Sequence, residues 1–311
     1  MERRVFALLA AALLTGCLGI QLPFLGGEPN LVPSKADFVL TLRIGDIVSD
    51  PDILKLLNKS GTEFEAELRQ AESETGIDAR KVGKLIIFGR TRAGQPYTGT
   101  IASGQIDQQA FVSKARAGKA VVEQTYQGYT IYVEPKPPGN VFAFIDGVLV
   151  SGTREAVQDV IDVKRGAARP FDSEQANEAA DRVDRNAKAF LIMLGEAAPA
   201  APIPGTQGLP AQAIALSLDK QGGSVAIKAA VLANDSAAAS RAFNSINGGV
   251  SLLRALSEPG SARERFLNQI RVEAQGNFVL VDIATTVADL EAFGGDMARR
   301  PAAPTPSPQA R

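Results

Sequence analysis

The residue types that carry most nucleophilic and general acid–base chemistry are almost missing from this chain. Its 311 residues include no histidine and a single cysteine, Cys17. Ser-His-Asp and Cys-His systems are thereby excluded, as are histidine-ligated zinc, copper and haem. One cysteine closes no disulfide within the chain and holds no iron–sulfur cluster. No Gly-rich loop runs into Lys-Ser/Thr and no GxGxxG occurs, so no nucleotide cofactor is expected and none of any other kind is implied. Carboxylates, lysines, serines and tyrosines remain.

Asp46, Asp50 and Asp52 cluster where a strand gives way to a helix. Such a group could offer oxygens to Ca²⁺ or form a glycosidase-like pair. Its spacing matches no calcium loop, and acids before a helix serve equally as caps favoured by the helix dipole. Asp159 and Asp162 lie one turn apart on a predicted helix and read as a solvated face. Ser151-Gly152-Thr153 could turn free N–H groups toward a phosphate, but a strand–turn–helix junction needs the same residues. Two sequons, Asn58-Lys59-Ser60 and Asn234-Asp235-Ser236, are about what chance supplies. All four tyrosines, Tyr97, Tyr126, Tyr129 and Tyr132, fall in the first half of the chain, three of them in one hairpin. Tyr126 and Tyr132 are expected to frame one patch with Tyr129 opposite, depending on register. Such rings suit a sugar, a lipid or a partner surface, and they also suit plain strand packing.

The elements that position these residues are mixed. Phe38, Leu40, Leu42 and Ile44 alternate as a half-buried strand does. Asp50-Pro51 starts a helix through Ile53, Leu57, Phe64 and Leu68 that Gly61 splits in two. Strands follow at Leu85 to Phe88 and Tyr97 to Ser103, then a helix from Asp107 to Ala117. Two hairpins turn at Gln127-Gly128 and at Asp146-Gly147, the second an Asp-Gly pair between apolar runs. Thr153 caps a helix to Arg165. Beyond it come a helix from Ser173 to Arg185, strands at Lys188 to Leu194, Ala213 to Asp219 and Ser224 to Leu232, and a Pro/Gly/Ala loop from Glu196 to Pro210. A helix from Ser236 to Leu256, broken at Gly248-Gly249, precedes a hairpin turning at Gln275-Gly276 and a last helix from Val287 to Met297.

Set over one another, Gln127-Gly128 through Glu134 and Gln275-Gly276 through Asp282 match in turn, strand pattern and terminal acid. The expected fold class is therefore α+β, with two related halves of antiparallel sheet, residues 34–170 and 171–300, and helices packed on one face. Tight turns between neighbouring strands argue against a doubly wound parallel sheet, hence against the usual nucleotide-binding folds and most periplasmic solute-binding proteins.

The two ends read differently. Glu2, Arg3 and Arg4 lead into ten apolar residues from Val5 to Leu14, too few for the roughly 20 that a helix needs to cross a bilayer. Residues 1–16 read as a signal peptide, 17–33 as a Pro/Gly tether and 301–311 as a Pro-rich disordered tail. Leu14-Thr15-Gly16-Cys17 resembles the lipobox of prokaryotic lipoprotein precursors at all four positions. That resemblance covers about the first twenty residues. It implies diacylglycerol on the Cys17 sulfur and cleavage between Gly16 and Cys17, which would anchor the chain at the outer face of the cell membrane. Arg3-Arg4-Val5-Phe6 fits the opening of a twin-arginine signal or an ordinary charged start. Val148 through Val157 and Val160 through Val163 resemble segments of uncharacterised archaeal surface lipoproteins, which implies neither an activity nor site residues.

A formal net charge of −1 supplies no basic stripe, so nucleic acid is not an expected partner. The leading reading is a non-catalytic, lipid-anchored binding or scaffold protein that meets the membrane through Cys17 and an envelope protein or polymer through its surface. A carrier of a hydrophobic ligand held between sheet and helices is the alternative, and a carboxylate-based hydrolase comes last.

Overall fold

The computed structural model describes residues 30–59, 64–90, 96–118, 121–135, 139–195 and 211–298. Twelve strands are joined by nine α-helices among the described residues. In chain order they are β1 (Phe38–Leu42), α1 (Ile44–Val48), α2 (Pro51–Lys59), α3 (Phe64–Thr75), β2 (Val82–Gly89), β3 (Thr98–Gly104), α4 (Gln108–Gly118), β4 (Val122–Tyr126), β5 (Tyr129–Val133), β6 (Val141–Ile145), β7 (Val148–Gly152) and α5 (Arg154–Lys164). Then follow α6 (Glu174–Ala180), β8 (Ala189–Leu194), β9 (Ala211–Gln221), β10 (Ser224–Ala233), α7 (Ser236–Ala255), α8 (Ala262–Asn268), β11 (Ile270–Gln275), β12 (Phe278–Thr286) and α9 (Val287–Ala298).

The α+β class and the antiparallel pairing agree with the sequence reading; the division into two sheets does not. All twelve strands form one sheet in the order β11-β12-β10-β9-β8-β1-β2-β3-β7-β6-β5-β4. The halves fuse because β1 and β8, apolar but for Thr41, pair directly, Leu40 opposite Leu191. Neither half ends in an exposed inner edge, which would otherwise be a template for unwanted pairing.

From that central pair the chain takes the same path outward twice. Each half runs through three antiparallel strands, crosses by a helix, and returns in a hairpin whose last strand pairs with the third: β7 with β3, and β12 with β10. The register repeats as well. Phe88 faces Gly99 and Gly99 faces Gly152, while Ser217 faces Lys228 and Lys228 faces Asp282. Both hairpins close with two residues, Asp146-Gly147 and Gly276-Asn277. By pairing, the counterpart of the last hairpin is thus β6–β7, not the β4–β5 hairpin that the sequence match selects. The match failed because a two-residue turn between alternating strands looks alike wherever it occurs. β4 and β5 are an additional pair on the first half alone.

Helices cover both faces of the sheet, not one. Side chains directly opposite in a ladder share a face, and a three-residue step along a strand reverses it. Tyr126 and Tyr129 are opposite each other, and the Tyr126 hydroxyl reaches Asp162 of α5. Tyr132, three residues on, stacks on Phe142, whose other contact is Phe111 of α4. So α5 lies on a first face and α4 on the second. A second-face row crosses the sheet through Leu149, Ala102, Leu85, Leu42, Ala189, Leu218, Ile227 and Ile283. Its far end packs with Leu56 of α2 and with Val287 and Leu290 of α9.

Local chemistry explains most of the boundaries. Thr153, Ser173, Asp235 and Ser261 each accept a backbone N–H in the first turn of the helix that follows. Gln127 and Gly128, like Asp146 and Gly147, take positive φ, as a type I′ turn requires at both centres. Three readings change. Ile44 opens the short helix α1 instead of ending β1, and α7 runs unbroken through Gly248 and Gly249. The stretch predicted as helix to Arg185 stops at Ala180. Residues 1–29 and 299–311, with the signal and tail readings, lie outside the described residues, as do Gly61 and the Pro/Gly/Ala loop. Of the tether read over 17–33 only the last four residues are described, where Leu31, Val32 and Pro33 are buried and Phe171 donates its N–H to the Val32 carbonyl.

Candidate functional site: a carboxylate row and a leucine patch

Helix α5 concentrates the polar chemistry of the first face. Glu155, Asp159 and Asp162 recur at steps of four and three, which places them along one side of the helix. The Lys35 ammonium lies 3.3 Å from Glu155 and 3.0 Å from Asp159. Arg90 lies 3.1 Å from Glu155, with its guanidinium 4.1 Å above the Tyr97 ring. The Tyr97 hydroxyl donates to Asp159 at 2.9 Å, and the Tyr126 hydroxyl donates to Asp162 at 3.0 Å.

Asp159 is buried, so it is not part of a solvated face. Its two oxygens are shared between a cation and a phenol, as a carboxylate withdrawn from water requires. Burial and then the Asp159 charge push the Tyr97 phenol far above its ordinary value, so Tyr97 stays a donor at any physiological pH. Burial and the Asp162 hydrogen bond raise Tyr126 in the same direction. The hydrogen bond to Asp159 outweighs desolvation at Lys35 and lifts it above the usual lysine value. Two cations, two carboxylates and a neutral phenol thus close on one another around Asp159. They fasten α5 and the segment before β1 to the sheet.

The Asp46, Asp50 and Asp52 cluster resolves into caps and a tie. Asp50 accepts the backbone N–H of Asp52 at 3.1 Å and of Ile53 at 3.3 Å, which caps α2. It also takes both oxygens to the Lys220 ammonium at 2.8 Å, and Asp52 adds a third contact at 3.0 Å. Lys220 is buried on β9, so this tie binds a helix of the first half to a strand of the second. Hydrogen bonding to Asp50 raises Lys220. Burial works against ionised Asp50, yet the Lys220 contact and the backbone donors hold its carboxyl below the usual range. Asp46 pairs with Arg43 at the surface. Ser151-Gly152-Thr153 is a strand–helix junction whose threonine caps α5.

The four tyrosines do not form one surface. Tyr97 and Tyr132 are buried, and Tyr126 and Tyr129 share the first face beside α5. The expected pairing of Tyr126 with Tyr132 is reversed because the two-residue turn sets Tyr126 opposite Tyr129. Gly16 and Cys17 lie outside the described residues. Sequence reasoning missed Lys35, Arg90 and Lys220, whose partners are 65 to 170 residues away along the chain. It also missed a surface feature: Leu252, Leu253 and Leu256, at the end of α7, stay exposed.

No family model matches this chain, and no curated protein does. Solved structures of TP0453 are similar in fold. Crystal form III aligns with a TM-score of 0.50 at 11% identity over 87% of this chain and 99% of that one. Crystal form I gives 0.49 at 11% identity over 88% and 98%. At such identity the likeness is one of chain path and transfers no residue roles. Among the described residues no helix is long and apolar enough to cross a membrane.

Proposed function

We propose that this chain is an extracytoplasmic lipoprotein, held to the outer face of the cell membrane by diacylglycerol on Cys17, with a non-catalytic binding or scaffold role at the envelope. Leu14-Thr15-Gly16-Cys17 supports the anchor, since two acyl chains hold a protein stably where one does not. The observation that supports a binding role over a catalytic one is the pairing of the ionisable groups around the buried Asp159, Tyr97 and Lys220. Lys35, Arg90, Glu155, Asp159 and Tyr97 satisfy one another, and so do Lys220, Asp50 and Asp52. A general acid or base needs a group poised toward substrate with a shifted but titratable proton. These side chains instead spend their charge on fixing helices to the sheet.

Fractionation of the native host tests the anchor. The wild-type chain is expected in the membrane fraction and released by detergent, and Cys17→Ser is expected in the soluble extracytoplasmic fraction. A Cys17→Ser chain that stays membrane-bound through high-salt washing would overturn the anchor.

A further inference from the structure

Four large apolar residues stand exposed among the described ones. Val122 sits alone on the outer strand β4. The other three, Leu252 at 61%, Leu253 at 36% and Leu256 at 64% exposure, follow one another around the end of α7. Helix α7 buries Ala239, Ala242 and Ile246 against the sheet, a stripe at steps of three and four. Leu252 and Leu256 are one turn apart and off that stripe, so packing among the described residues does not account for them. The turn carrying them is pinned. Arg254 folds back to donate to the carbonyls of Leu267 and Ile270 at 2.8 Å, which holds its leucine neighbours outward.

We propose that Leu252, Leu253 and Leu256 form a membrane-docking patch that enters the outer leaflet of the bilayer to which Cys17 is anchored. The proposal rests on the anchor reading for its geometry. Three leucines expose far less than the roughly 800 Å² per partner that a stable protein–protein interface needs, so the patch is too small to hold a second copy or a protein alone. A lipid surface takes a few apolar side chains at a time, and a weak contact suffices once an anchor makes it intramolecular. From Cys17 to Asn30 is roughly thirteen residues, about 45 Å at full extension, which leaves the domain within reach of the surface. Docking through α7 would lay the sheet's second-half end against the lipid and turn the first half, with β4 and β5, toward other envelope components.

The chain contains no tryptophan, so Leu256→Trp places a lone reporter in the patch and Thr125→Trp a matched one on β4. Both variants are purified in mature lipidated form and reconstituted into phosphatidylglycerol vesicles with and without brominated acyl chains. The expected result is a blue-shifted emission quenched by bromine for Leu256→Trp and an unmoved spectrum for Thr125→Trp. Flotation with the vesicles but no shift at position 256 would overturn docking and leave the anchor standing. A chain that carries no lipid would overturn the anchor. The same vesicles added to that soluble chain then decide docking separately, a shift at 256 supporting it and none sinking it. A shift that grows with protein concentration in the absence of vesicles would assign the patch to self-association and overturn the proposal.

Discussion

The two halves of the sheet share a path and a register but answer to different surroundings. In the first half Gly99 and Gly152 sit opposite each other on the first face, with the buried Phe88 ring laid over Gly99. At the corresponding place in the second half stand Lys228 and Asp282, both half exposed and 3.9 Å apart. The row continues outward through Arg271 and inward through Ser217, Phe190, Thr41, Ile86, Ile101 and Val150. It is apolar or small where α5 and α6 cover it and charged where they do not. The helices decide the difference: α5 closes the first half on the first face, and α9 closes the second half on the other, its Val287 and Leu290 packed with Val225 and Ile227. One strand plan therefore tolerates opposite residue chemistry at matched positions, provided the covering helix moves with it.

The sharpest way to break this comparison is at the tie between halves. Lys220→Ala leaves Asp50 and Asp52 without their buried cation and should cost about 3 kcal/mol in urea denaturation. Lys228→Ala, the exposed lysine one strand over, should stay within about 0.5 kcal/mol of wild type. Next in size, Gly99→Ala would set a Cβ 2.2 Å from a Phe88 ring that is fully buried. With no room to shift, the overpacking should cost about 2 kcal/mol. A smaller loss follows from Tyr97→Phe, which removes one of Asp159's hydrogen bonds and should cost about 1.5 kcal/mol, against roughly 0.5 for Tyr126→Phe at the more open Asp162.

The pH dependence has a definite sign. Asp50 titrates below its ordinary value in the folded chain, and so does Asp289, held by Gln269, Thr286 and Arg265. A depressed carboxylate stabilises the fold above its unfolded pKa of about 3.9, and that stability drains as pH falls through the folded value. Lys35 and Lys220 are raised, so their share is complete below about 10.4 and is lost at higher pH. The urea midpoint should be flat from about pH 5 to 9 and fall on both sides. Asp50→Asn should flatten part of the acid limb, and an unchanged limb would remove Asp50 from the account.

Element types were legible in the sequence wherever period and capping agreed. Thr153 announced α5, and Asp146-Gly147 announced β6–β7. What could not be read was the partnership of elements far apart in the chain. Nothing local says that β1 pairs with β8, or that Lys220 on β9 meets Asp50 before α2. The burial of Asp159 was hidden for the same reason, since Lys35 and Tyr97 lie 124 and 62 residues away. Helix face was illegible too: α5 and α4 carry similar apolar stripes, and only the strand register shows that they cover opposite sides.

The claim that most depends on residues beyond the fold is the anchor, and intact-mass and N-terminal peptide mass spectrometry on the chain purified from its host's membranes tests it most directly. The account predicts a mature chain beginning at Cys17 and heavier than its polypeptide by a diacylglycerol thioether. A chain that begins elsewhere, or a Cys17 thiol free to alkylate, would contradict it.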